Sequence, residues 1–468
     1  MANLKNLVKD TAIYGLSSIV GRFLNYLLVP LYTNVIPADN GGYGVVTNIY
    51  AHTALMLVVL TFGMETTYFR YVNKGGEDRP DTVFSTALGM VSVLSIAFIA
   101  FIFGFITPLS TWMGYVSHPE YLELMAVVVG LDAIQAIPFC LLRYQNRPIK
   151  FASLKLLFII MNIGLNLLYF LVMGGRDILL IFVLNLICTA IITFFFIPEF
   201  CKINWHFDKA LLRRMLRYSW PILVLGIAGI LNQTFDKQAF LMIYDQEDAK
   251  VQLGIYGACV KIAMIMAMIT QAFRYAYEPF VFGHAKDKDS KETYALTMKY
   301  FIIFTLLAFL CVMGYIDILK LIIGKSYHVG LKVVPIVMMA EIMMGIYFNL
   351  SFWYKLIDKT IYGALFSAIG CGVLIAVNVV FVPKYGYMAC AWGGFAGYGV
   401  AMILSYIVGQ HINPIPYPLK GIFGFILLAS VLFGLMCFTA NIIDNQWIRM
   451  GVNTLFIGIY IAMLYIKR

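Results

Sequence analysis

The chain is 468 residues long, 61% hydrophobic and only 12% charged, with 34 Lys and Arg against 24 Asp and Glu and a formal net charge of +10. A water-soluble protein carries roughly 25% charged residues, so this composition excludes secreted, disordered and disulfide-stapled chains. It also leaves almost no polypeptide for a soluble catalytic domain, and the chain reads as an all-α polytopic membrane protein.

Fourteen apolar spans follow one another at about 11–36, 44–66, 83–108, 121–143, 152–174, 177–198, 219–243, 252–276, 297–317, 333–355, 361–382, 387–409, 417–439 and 446–466. Each is long enough to cross a hydrocarbon core of about 30 Å. In lipid such a run must satisfy its own backbone groups, which makes it helical. An even number of spans puts both termini on one side. Loops on that side hold 24 of the 34 Lys and Arg and the opposite loops hold 7, while Arg22, Lys237 and Lys261 fall inside spans. The positive-inside rule therefore predicts cytoplasmic termini. The net charge is an orientation signal and needs no nucleic-acid partner. Met1 to Asp10 lacks a short apolar core and a small-residue cleavage site, so span one reads as an uncleaved anchor. The eight cysteines are scattered without a Cys-x-x-Cys pair and read as small buried hydrophobes, not as metal ligands or bridges.

A basic hydrophilic stretch at 199–218, with Lys202, Lys209, Arg213, Arg214 and Arg217, reads as a cytoplasmic linker. It divides a lobe over 1–198 (spans one to six) from a lobe over 219–410 (spans seven to twelve), with spans thirteen and fourteen appended over 411–468. The halves echo one another. Aligning Tyr43 with Tyr256 sets Asn48 opposite Lys261 and Glu65 opposite Glu278 without a gap, and Asp132 in span four answers Glu341 in span ten. Spans one and seven start on the same side, so the repeat is parallel, with its pseudo-two-fold along the membrane normal, as transporters are built.

An ionised group at the centre of a membrane helix costs about 2.5–3.5 kcal/mol on insertion scales and marks a function or a pairing. Arg22, Asn25, His52, Asp236, Lys237 and Lys261 fall in one slab from mid-membrane outward and form the candidate substrate cavity. Arg and Asn suit phosphate oxygens and sugar hydroxyls. For Asp236 and Lys261 a structural ion pair across neighbouring helices is an equal alternative. Arg22 has no acid in its own span and reads as a substrate contact, the alternative being a pair with Asp236. His52 reads more simply as a satisfied interior histidine than as a proton relay. Asp132 and Glu341 are candidates for ion coupling, with interhelical bonding the simpler account. Glu65 with Arg70, and Glu278 with Arg274, lie at the cytoplasmic ends of spans two and eight as a candidate inner gate, or as plain interface anchors.

Enzyme chemistry finds no foothold. Gly324-Lys325-Ser326 ends like a phosphate-binding loop, but Leu319 stands where that loop needs its first glycine. There is no His-Glu-x-x-His and no Gly-x-Ser-x-Gly. Neither an enzyme nor a bound cofactor is expected, and any pumping would draw on a Na+ or H+ gradient.

Tyr14-Gly15-Leu16 with Arg22, Pro30-Leu31-Tyr32-Thr33 and Gly42-Tyr43-Gly44 resemble the opening of the polysaccharide-export and Wzx-type flippases of the multidrug/oligosaccharidyl-lipid/polysaccharide (MOP) superfamily. Phe235-Asp236-Lys237, Gly254-Ile255-Tyr256-Gly257-Ala258, Lys261-Ile262-Ala263, Ala276-Tyr277-Glu278-Pro279 and Pro383-Lys384-Tyr385-Gly386 continue the likeness over nearly the whole chain. The resemblance implies two six-helix lobes around a cavity lined by spans one, two, seven and eight, with Arg22, Asp236, Lys237 and Lys261 as cavity positions. It implies a polyprenyl-pyrophosphate-linked oligosaccharide as substrate and a bacterial cytoplasmic membrane as location. Polysaccharide polymerase and glycosyltransferases are the implied partners of a monomeric transporter, and spans thirteen and fourteen would groove the lipid tail. Embedded bases and acids balance, three against three, where an anion carrier would be expected to be cationic. A multidrug antiporter of the same superfamily and a non-transporting scaffold for glycan assembly are the alternatives. Antiporters of that kind usually carry an acid in span one, where this chain has Arg22.

Overall fold

The computed structural model describes residues 28–73, 79–202, 205–283, 290–357, 359 and 361–466. Every regular element among them is helical. Thirteen helices are long and apolar enough to cross a membrane, and they meet the predicted spans two to fourteen in order. Span one lies mostly outside the described residues, and its end is the helix Leu28–Val35. The large side chains left exposed are overwhelmingly apolar, as on Val93, Ile96, Val172 and Leu427, which is the surface a bilayer requires. Trp112, Trp205, Trp220 and Trp447 are exposed near span ends, where indole rings favour the headgroup layer.

Three boundaries differ from the expectation. Span seven starts at Lys209, not 219. Its helix is capped by Asp208, whose carboxylate accepts the N–H groups of Ala210 (2.7 Å) and Leu211 (3.1 Å). Those two bonds hold the Asp208 carboxyl below the usual carboxylate range. Together with the short helix Ile197–Lys202, this makes most of the stretch 199–218 helix and not loose linker. Span two breaks at Phe62 (φ 51°) and Gly63 (φ 67°) and resumes at Met64. A Cβ on Gly63 would sit 2.9 Å from Ile222 and 3.3 Å from the Ser219 carbonyl oxygen, so span seven presses on this bend. Span ten begins as a 3-10 stretch, Lys325–Val333, before its α-helix Val334–Leu350.

Contacts divide the chain into two units. The first comprises the described part of Met1–Ile36 with Gly42–Met242, and the second comprises Pro37–Gly41 with Ile243–Arg468. Span seven thus packs with the first unit, although the linker reading put it at the head of the second lobe. In the first unit spans two and seven run antiparallel. Asn48 donates to the carbonyl oxygens of Lys237 (2.7 Å) and Gln238 (3.3 Å), and Gln238 donates back to Ala51 O (2.9 Å).

The second unit is built differently. Spans eleven and twelve touch backbone to backbone at Gly370 and Gly397, where a Cβ on either would stand 2.7 Å from the other's carbonyl oxygen. Spans thirteen and fourteen are fastened to span nine and the loop behind it. Tyr460 donates to Ile303 O (3.1 Å) and Asn453 to Gly314 O (2.9 Å). The Arg449 guanidinium forks onto Asp317, its Nε at 2.8 Å, while Lys320 reaches the same carboxylate at 2.6 Å. Burial pushes the Asp317 carboxyl up, but the hydrogen bonds and charges of Lys320 and Arg449 outweigh it and hold the group below the usual carboxylate range. In the Gly-Lys-Ser sequence, Ser326 simply accepts the Ala38 N–H (3.1 Å), a structural role.

Candidate substrate site

Arg22 and Asn25 lie outside the described residues. On span two, His52 is half-buried and its Nδ1 donates to Asn48 O at 2.9 Å. A carbonyl can only accept, so this nitrogen carries the proton. One turn earlier Asn48 is fully used: its amide nitrogen bonds span seven, and its oxygen accepts from Tyr115 Oη at 2.9 Å.

On span seven, Lys237 Nζ lies 3.0 Å from both carboxylate oxygens of Asp236 and 3.3 Å from Gln233 O. Adjacent residues on a helix diverge, so the long lysine stem folds back to make this contact. The pair is mostly buried, with 11% of the Asp236 side chain and 18% of the Lys237 side chain exposed. Two charges that look costly in sequence thus offset each other within one turn of one helix. What remains is a compact dipole with donors and acceptors together, suited to hydroxyl-rich cargo and to a phosphate oxygen. Lys261 and Glu341 belong to the second unit, half-buried on spans eight and ten.

A second polar region runs through the first unit. Tyr32 donates to Asn166 (2.9 Å), which donates to Asn162 Oδ1 (3.0 Å). Asn185 donates to Tyr50 Oη (2.6 Å). Thr189 stands 3.4 Å from both Asn185 Oδ1 and Asp132 Oδ1. Gln135 bridges Thr189 O (2.9 Å) and Thr193 Oγ1 (2.8 Å). Asp132 is therefore one member of a hydrogen-bonded track joining spans two, four and six.

Lys155 is the residue that sequence reasoning missed. It stands inside the span read over 152–174 but was left out of the embedded charges; the helix begins at Pro148, which places Lys155 two turns inside. Its ammonium lies 4.0 Å from the Phe139 ring centroid, and its charge acts on both Asp132 and Glu65.

The gate residues fall into other company. Arg70 lies over the Tyr218 ring at 4.1 Å, and the cations acting on Glu65 are Lys155 and Arg143. Arg274 lies over Phe348 at 4.6 Å. The side chain of Glu278 lies outside the described residues.

The sequence profile of the family described as polysaccharide biosynthesis protein matches residues 7–276. Among solved structures, the lipid II flippase MurJ in an inward closed conformation superposes with a TM-score of 0.78 at 14% identity, over 97% of this chain and 99% of its own. An inward-facing multidrug resistance MATE family transporter of the MOP superfamily gives 0.62 at 14% identity, over 86% and 94%. A MATE in the straight conformation gives 0.60 at 14%, over 87% and 95%. These likenesses are of fold. No curated protein sequence matches the chain.

Proposed function

The chain belongs to the polysaccharide biosynthesis protein family, and we propose that it is a flippase for polyprenyl-pyrophosphate-linked oligosaccharide repeat units. Its cargo would be the precursor of an O-antigen, a capsule or an exopolysaccharide, turned from the cytoplasmic to the outer leaflet of a bacterial cytoplasmic membrane by alternating access. The observation that carries the reading is coverage. The fold match to a flippase of lipid-linked cargo takes in 97% of this chain, spans thirteen and fourteen included, whereas the drug-transporter matches stop at 86–87%.

In this reading Arg22 grips phosphate, the Asp236–Lys237 pair and Lys261 meet the glycan, and the prenyl tail stays in lipid. Asp132, held by Thr189 and acted on by Lys155, takes the coupling cation or proton. The protein works as a monomer beside the polymerase and glycosyltransferases that make and consume the repeat unit.

The test is a mass-spectrometric profile of lipid-linked oligosaccharides in a deletion strain, with a leaflet probe. Finished repeat units are expected to accumulate on the cytoplasmic face, and Arg22→Ala is expected to reproduce this at normal protein level. An unchanged pool with intact surface polysaccharide sinks the proposal. The MATE-like fold favours drug antiport as the second reading, and dye efflux from energised cells separates it from the first.

A further inference from the structure

Span five carries its one deep cation on the side turned away from lipid. Lys155 shares a helical face with Phe151, Ile159, Asn162 and Asn166, at spacings of three and four residues. Those four are buried, while Ile149 and Ile160 are exposed on the far side of the helix. A side chain in the middle of a buried face is normally buried too, yet Lys155 is exposed. It therefore opens onto a space inside the first unit.

Span four supplies one wall of that space. Asp132, Phe139 and Arg143 fall on one of its faces, and the Lys155 ammonium lies 4.0 Å from the Phe139 ring centroid. The charge of Lys155 acts on Asp132 and on Glu65 of span two, and Arg143 acts on Glu65 in turn. Asp132, Lys155, Glu65 and Arg143 thus form a ladder of alternating sign. It runs from the end of span four at Tyr144 to about 18 Å inside, at 1.5 Å per residue. Lys155, Glu65 and Arg143 are exposed and Asp132 is half-buried. None of the four makes an ion pair among the described residues.

What Asp132 can hold follows from its neighbours. Its Oδ1 stands 3.4 Å from Thr189 Oγ1, which stands 3.4 Å from Asn185 Oδ1. Carboxylate, hydroxyl and amide oxygens in one corner suit a small hard cation, which needs several oxygens at once. The titratable groups whose charge reaches this corner are Tyr50 of span two and Lys155 of span five. Span six meets it with the neutral Thr189 and Asn185, and span three packs nearby on Gly130 through Ser95 and Ile99. The ammonium already supplies a positive charge, and like charges repel strongly at low dielectric. A proton escapes this conflict: it settles on one carboxylate oxygen, needs no further ligand and leaves a neutral acid. We propose that Lys155 is a tethered cation that keeps sodium out of the Asp132 corner, so that this acid exchanges protons alone. The reading of Asp132 as the coupling residue enters only in the consequence, that the driving gradient is one of protons.

The test compares the full-length protein in detergent, at mildly alkaline pH, in sodium chloride and in choline chloride at equal ionic strength. The wild type is expected to melt at the same temperature in both salts and to bind no radioactive sodium. Lys155→Gln is expected to gain bound sodium and to melt several degrees higher in sodium than in choline, as a ligand of the folded state requires. Adding Asp132→Asn to that variant is expected to remove both effects, and Lys155→Arg to behave as wild type. On acidification the wild type is expected to show the infrared band of a protonated carboxyl that Asp132→Asn lacks. Sodium binding by the wild type that Asp132→Asn abolishes overturns the proposal, and that arm needs no lysine variant to fold. A folded Lys155→Gln as indifferent to sodium as the wild type overturns it too, as does the lack of any carboxyl band specific to Asp132. A deletion strain with a normal oligosaccharide pool would defeat the transport proposal and leave these outcomes untouched.

Discussion

The first unit holds its spans together with side chains that bond one another deep in the membrane, from Tyr32 through Asn166 and from Tyr50 through Asn185 and Thr189 to Asp132. The second holds spans eleven and twelve together by glycine contact and fastens span fourteen with an ionic clamp at Asp317. These fastenings have different energetics. Hydrogen bonds between membrane helices average about 0.6 kcal/mol each, since the separated helices find other partners. Each charge-assisted bond in the clamp is worth about 1.5–3 kcal/mol, and Asp317 takes several of them. The first unit should therefore degrade gradually under substitution and the second abruptly.

Arg449→Ala is the strongest way to test that contrast. It removes both charge-assisted bonds from span fourteen to Asp317 and leaves that carboxylate to Lys320 alone, and a loss of about 3 kcal/mol is expected, read as a fall of several degrees in the melting temperature of the detergent-solubilised protein. A fall no larger than that of a surface control would remove the distinction. Gly397→Val comes next. The added carbons meet the rigid Gly370 carbonyl, and overpacking of this kind costs about 1–3 kcal/mol. Cysteine crosslinking between spans eleven and twelve should lose efficiency in that variant. Asn185→Leu, which removes the bond to Tyr50, is expected to cost only about 0.6–1 kcal/mol and to shift the melt barely. A collapse there would show that the network acts as one cooperative unit.

The smallest effect is on pH. The folded Asp317 carboxyl sits below its ordinary value, so its stabilising contribution is fully present above the unfolded carboxylate range of about 3.9 and is lost as pH falls through the folded value. The clamp should leave the melting temperature flat from pH 7 to 5 and weaken it only below about pH 4. Asp317→Asn should lack that acid step.

The span count was legible because twenty apolar residues in a row have one solution in lipid. What stayed hidden needed knowledge of neighbours. Asp236 and Lys237 read as costly charges awaiting partners on other helices, yet they meet each other because lysine is long enough to fold back along its own helix. Lys155 lay within the span read over 152–174 but was passed over among the embedded charges, and the helix start at Pro148 places it two turns inside. The bend at Phe62-Gly63 left no mark in hydropathy, since it comes from the press of span seven against a residue without a Cβ. Asn48 entered the sequence reading only as the repeat partner of Lys261. Its three bonds, to Lys237 O, Gln238 O and Tyr115, make it the fastener of the span two to span seven contact.

The segment Pro37–Gly41 groups with the second unit, while the residues on either side of it group with the first. Its backbone is seated there, Ala38 N–H on Ser326 and Gly41 against Lys250. The covalent path therefore passes between the units at 36/37, 41/42 and 242/243 alone. In kinematic terms this short tab is a hinge leaf with unequal pins. Pro37, at φ −60°, locks one torsion at the first crossing, and the second falls between two glycines. Of the three crossings, Gly41–Gly42 is thus the one whose backbone torsions no side chain restricts.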